Sequence, residues 1–170
     1  MPTLEVTRSA IAPVSPDYRE QPVEEGFDWP EIIRDLEKIH GNLTARALYL
    51  VVFESVRNPD ANPEVIAALD HAAHEEAKES AALLHYYADT PDEHGRALSW
   101  CLWTDDKAAR EAIGGPAHIE AMSRAREFYG DNYAVKLYSV VPAEDKVIFV
   151  PHSHPTIKTN HSEEYHNANI

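Results

Sequence analysis

The stretch from Ala47 to Val56, ALYLVVFESV, constrains the fold more than any other, because it is the longest strand-forming run and is apolar on both faces. Side chains alternate across a strand, so Tyr49, Val51 and Phe53 point one way while Leu48, Leu50, Val52 and Val56 point the other. Neither set belongs in water. A sheet built on this strand therefore needs a covering layer on each side.

At 170 residues the chain suits one domain with extensions. A formal net charge of -14 opposes phosphate backbones and anionic lipid surfaces, so neither nucleic acid nor a membrane is an expected partner. The only cysteine, Cys101, sits in an apolar run, which precludes an intrachain disulfide and suits a reducing compartment. The N-terminus lacks a basic segment leading into an apolar core, and no apolar run approaches the roughly 20 residues that span a bilayer. A cytoplasmic location is expected.

Residues 1–26 hold several prolines and no sustained period, the pattern of an arm that carries no chemistry. Asp28 and Glu31 then form a capping box before Ile32, Ile33, Leu36 and Ile39, which recur at helical spacing up to Gly41. This amphipathic helix must dock on its own domain or on a partner. After the first strand, Asn62 and Pro63 start a helix running to about Ser80. One side of it carries Val65, Ile66, Leu69, Ala72, Ala73 and Glu76, while His71 and His74 fall on the wet side with Lys78.

Leu83 to Thr90 and Arg96 to Thr104 read as two strands joined by a short turn, an antiparallel hairpin rich in His, Tyr and Trp. Asp105 caps a helix that breaks at Gly114 and Gly115, restarts at Pro116 and runs to about Tyr129, with His118 on its apolar side among Ala121, Met122 and Ala125. Tyr133 to Val141 is the fourth strand. Strand, helix, strand, strand, helix, strand is the ferredoxin-like βαββαβ plan of an α+β protein, a four-stranded antiparallel sheet with both helices on one face. The other face, apolar as well, is expected to meet a second copy and make a homodimer. The domain is taken as residues 45–141, with an arm and helix over 1–44 and an extension over 142–170.

The order of these elements, the ALYLVVFESV strand, the SWCLWTDDKAAREA passage and the GGPAHIEAM segment resemble the dimeric α+β barrel superfamily, in particular its antibiotic-biosynthesis-monooxygenase-like branch, and small uncharacterised proteins of that fold. The resemblance covers roughly residues 45–141. It implies a ligand cavity between sheet and helices that hosts cofactor-independent oxygenation, polyketide cyclisation, isomerisation or haem degradation. It also implies a histidine on the second helix, matched here by His118 of PAHIEAM, which haem-degrading relatives use as an iron ligand.

From the residues themselves, Glu76 and His118 come from separate helices that both face the sheet, so they are the candidate catalytic pair, a base and its orienter. Tyr49, His85, Tyr87, Trp100, Trp103 and Met122 are the candidate binding residues for a flat phenolic or polyketide-like ligand. Packing or a satisfied core competes with each of these roles. Cys101 reads as an inert buried thiol.

Lys146 to Val150 is expected to add an edge strand or to pair with a partner. His152 and His154 follow, then His161 and His166, but their spacing matches no metal signature and a polar tail has no fixed geometry. No metal site and no cofactor are assigned. The expected function is that of a cofactor-independent oxygenase or polyketide-cyclase-like enzyme. A dimeric binding or accessory protein without turnover is the alternative, and a haem-binding or haem-degrading protein a weaker one.

Overall fold

The computed structural model describes residues 11–153. Its centre is β1 (Leu48–Val56), which pairs antiparallel with β3 (Arg96–Trp103) on one side and β4 (Tyr133–Pro142) on the other. Outside β3 lies β2 (Leu83–Ala88), and outside β4 lies β5 (Val147–Pro151), giving the sheet order β2-β3-β1-β4-β5. The first four strands have the ferredoxin-like order, as expected. β5 extends the sheet along β4 of its own chain, which decides between the two placements open to that segment.

The helices begin where their caps lie. Asn62 accepts from the backbone N–H groups of Glu64 and Val65 to open α3 (Pro63–Ala77), and Asp105 accepts from that of Ala108 to open α4 (Asp106–Ile113). The chain breaks at Gly114 and Gly115 and restarts at Pro116 as α5 (Pro116–Ser123). A further break at Arg124 separates α6 (Ala125–Tyr129), so the second helical layer is three short pieces.

The two faces of the sheet are covered differently. Towards α3–α6 point Val51, Phe53, Ser99, Cys101 and Trp103. Towards the opposite side point Leu48, Leu50, Val52, Leu98, Trp100 and Leu102, all but sealed from solvent.

That opposite side corrects an expectation. The face thought to be open for a second copy is occupied by the N-terminal segment of the same chain, through α1 (Val23–Gly26) and α2 (Trp29–His40). Asp28 caps α2 by accepting from Glu31 N–H at 3.1 Å, and Gly41, at φ 80°, ends it. Trp29, Ile32, Ile33 and Leu36 are buried against the sheet, whereas Ile39, expected beside them, is 62 % exposed. Trp29 is 1 % exposed, and its indole N–H donates to Val23 O at 2.9 Å. Phe27 lies edge-on to Trp100, with ring centres 5.6 Å apart.

Two polar contacts pin the arm to the end of β2. The Tyr18 hydroxyl donates to Asp89, and Arg19 Nε donates to the same carboxylate at 2.8 Å. The bare apolar surface that argued for a homodimer across this face is therefore absent, because residues 11–43 supply its cover. Among the described residues no helix is long and apolar enough to cross a membrane.

Candidate functional site

A cavity of about 270 Å³ lies between the sheet and the α3–α6 layer. Its floor is Val51 and Phe53 of β1, Ser99, Cys101 and Trp103 of β3, and Val135 of β4. Its roof is Ile66, Leu69, Asp70 and Ala73 of α3, with His118, Ala121 and Met122 of α5. Phe128, Tyr129 and Tyr133 close one end and Tyr86 of β2 another. Alternation along β1 and β3 and the helical repeat along α3 and α5 bring these residues to one space. The lining is apolar and aromatic with a few polar groups, the usual constitution of a small-molecule site.

His118 enters from the first turn of α5. Burial depresses its pKa, against the charges of Glu76 and Asp70, which raise it, so the imidazole is held towards its neutral form. Its Nδ1 is buried and has no hydrogen-bond partner. A neutral imidazole with a free ring nitrogen can accept a proton or a hydrogen bond.

Glu76 takes a different place from the one expected. Its carboxylate does not line the cavity. Instead it accepts from the backbone N–H of Ala117 at 3.1 Å and of His118 at 3.0 Å, so both oxygens cap the start of α5. No side chain of α5 caps that helix, and Glu76 reaches over from α3 to satisfy its orphan donors. Glu76 and His118 do converge, but through the backbone of residue 118. The arrangement of a base with an orienter on its ring is not formed.

The expected aromatic wall divides in two. Trp103 and Met122 line the cavity. Tyr49 is on the correct face but packs with Trp103, Ala77 and Ala109, and its ring lies 5.3 Å from that of His152. His85 and Tyr87 are on the far face, with ring centres 5.4 and 5.5 Å from that of Trp100. Trp100 reaches the cavity wall, yet its ring belongs to the N-terminal side among Phe27, Trp29 and Tyr87. By strand parity His85 and Tyr87 are packing residues and not ligand contacts, while Trp100 is shared between the cavity wall and the N-terminal packing.

Sequence reasoning missed a polar pair that the cavity does contain. The Tyr86 hydroxyl donates to Asp70 Oδ1 at 2.6 Å, joining β2 to α3. Burial and the neighbouring Asp70 charge push the phenol well above its ordinary pKa, so it stays a donor. The signal for Tyr86 is its parity with Cys101, its partner in the β2–β3 ladder. For Asp70 it is a carboxylate at helical spacing from Ile66 and Ala73, at the exposed edge of the α3 stripe that lines the cavity. Burial pushes the Cys101 thiol up to about 11, opposed by the Trp103 indole N–H. Tyr129 is also raised by burial, while Arg57 behind it acts the other way.

Among the described residues no group of three or more His, Cys, Asp or Glu side chains could hold a metal ion. His71 is exposed, whereas the His74 ring packs 4.5 Å from that of Tyr86. His152 bonds Ser139 at 2.7 Å, and His154, His161 and His166 lie outside the described residues. Haem does not fit: about 270 Å³ cannot take its macrocycle beside His118 without displacing the aromatic walls.

The strand order and the crossover helices define the chain as a ferredoxin-like α+β protein. A family profile matches residues 3–150, and the chain belongs to the PB2B2.08-like family. No curated protein matches it. Among solved structures it is similar to Rv0793 from Mycobacterium tuberculosis, at 18% identity over 54% of this chain and 92% of that one, with a TM-score of 0.47. It is similar to SO0527 from Shewanella oneidensis, at 18% identity over 61% and 94% of the two chains, TM-score 0.49. A third is SnoaB, a cofactor-independent oxygenase from Streptomyces nogalater, at 12% identity over 59% and 99%, TM-score 0.48.

Proposed function

We propose that the chain is a small-molecule enzyme of the cofactor-independent oxygenase or polyketide-cyclase-like type, acting on an aromatic or polyketide-like molecule in the cavity between sheet and helices. The observation that carries this reading is His118, an imidazole held towards its neutral form in the wall of an aromatic-lined cavity.

Chemically, His118 takes a proton from an acidic C–H or hydroxyl of the ligand and leaves an electron-rich enolate. In cyclisation, that carbon attacks a carbonyl of the same molecule, and the imidazolium returns its proton to the resulting alkoxide. In oxygenation, the carbanion of a methylene group adds to dioxygen and the imidazolium protonates the peroxide. Loss of water then leaves a carbonyl. Phe53, Phe128 and Tyr129 hold the flat ligand, and Trp103 backs the floor.

The test is turnover of a hydroxylated anthrone in air, followed by quinone absorbance, with wild type and His118→Ala. Acceleration by the wild type that His118→Ala reduces to the uncatalysed rate supports the role, and equal rates overturn it. A binding protein without turnover is the second reading, favoured by one observation: no group orients the His118 ring through Nδ1. Ligand binding with no acceleration by either protein would select it.

A further inference from the structure

We infer that the cavity selects a ligand carrying a protonated amine, with Asp70 as its counter-charge. This inference rests on the cavity being a ligand site, as argued above. Among the residues lining it, Asp70 bears the only formal charge, and neither Lys nor Arg is present. Arg57 is not among the lining residues, although its charge reaches Tyr129. A carboxylate or phosphate ligand would meet no cation here and would face the Asp70 charge, and the excess of acidic residues over the whole chain acts in the same sense.

The carboxylate is also prepared for a cation. Tyr86 donates to Oδ1 at 2.6 Å and fixes the group. Asp70 is an exposed residue, so it marks where the cavity meets solvent, and an ammonium group there keeps part of its hydration. Tyr86 and Tyr129 line the same space, and aromatic rings attract a cation more than a neutral group.

On the inner side, the Asp70 charge reaches His118, which leaves the imidazole free for the proton transfer argued above. Carboxylate and aromatic lining thus agree on one ligand chemistry, a flat apolar body with an ammonium group.

The experiment compares three probes built on one ring system: 1-naphthylmethylamine, 1-naphthalenemethanol and 1-naphthoate. Binding to the full-length chain is measured at neutral pH by calorimetry, for wild type and Asp70→Asn. The amine is expected to bind roughly five- to tenfold tighter than the alcohol, as partly screened charge and cation–π contacts allow, with the naphthoate weakest. Asp70→Asn should bring the amine down to the affinity of the alcohol and leave the alcohol unchanged. Added salt should weaken the amine and spare the alcohol.

Equal binding of amine and alcohol by wild type, or a preference that survives Asp70→Asn, overturns the inference while leaving the cavity a ligand site. Failure of all three probes to bind overturns the ligand site itself. Since Asp70 is exposed, the variant should fold, and an unchanged melting temperature checks this.

Discussion

The carboxylate of Glu76 occupies the space that a side chain at residue 115 would fill. A Cβ built on Gly115 would lie 2.3 Å from Glu76 Oε2 and 2.4 Å from its carboxyl carbon. Gly115 has φ -71°, which any residue adopts, so glycine is required there for room and not for conformation. Absence of a side chain on one helix start lets a carboxylate from another reach the N–H groups of Ala117 and His118.

Gly115→Ala should expel that carboxylate and destabilise the fold by about 1–2 kcal/mol, the range for loss of a helix cap. Glu76→Ala should cost a similar amount. The double variant should cost clearly less than the sum, because each change removes the same contact. Urea denaturation of the four proteins checks this, and strict additivity would show that the two residues do not act together.

His118 makes stability depend on pH. Its folded pKa is depressed below the ordinary value of about 6.5, so as pH falls the unfolded chain binds the proton first and stability drops. Its contribution is complete above the unfolded pKa and is lost as pH falls towards the folded one. Between about pH 7.5 and pH 5.5, the melting temperature should fall more for wild type than for His118→Gln. The other histidines are common to both proteins, so the difference isolates residue 118. Parallel curves would contradict a buried neutral imidazole.

Trp29→Ala should destabilise the protein by about 3–5 kcal/mol, the range for removing a buried tryptophan from a packed core. Thermal unfolding measures the loss. The variant should also bind an apolar dye that wild type ignores, as the sheet face beneath loosens. A change under about 1 kcal/mol would mean that the N-terminal layer is not part of the core.

Cys101 should resist modification. With its thiol pushed up to about 11, about one part in a thousand is thiolate at pH 8, and a disulfide reagent should label the native chain far more slowly than the urea-unfolded one. Equal rates would place the thiol in solvent.

The ferredoxin-like order was legible because each element carries its own signal. Asn62, Asp105 and Asp28 cap helices where a cap was expected, and β1 to β4 start and stop within two residues of the runs of strand formers. One wall of the cavity was legible too, since the wheel of the second helical segment puts His118, Ala121, Met122 and Ala125 on the cavity side.

The rest turned on geometry that one-dimensional pattern holds only in part. Trp100 and Trp103 are an odd number of residues apart and cannot share a face, so parity alone separates them. On α3, Asp70 and not Glu76 joins the cavity stripe. The destination of the Glu76 carboxylate depends on the gap at Gly115, far away in sequence. The second face was expected to meet a second copy because its apolar residues demand only some cover, and nothing in the amphipathic helix over residues 29–40 names the surface on which it docks.

Because the N-terminal layer and the cavity lie on opposite sides of one thickness of backbone, β3 carries both in alternation: Trp100 under Phe27, then Cys101 and Trp103 under the helices. Close-packed interiors transmit strain, so a change in how the arm packs bears on this strand from behind. Substitutions at Phe27 or Trp29, remote from any bound molecule, are thus a means of reshaping the floor on which that molecule rests.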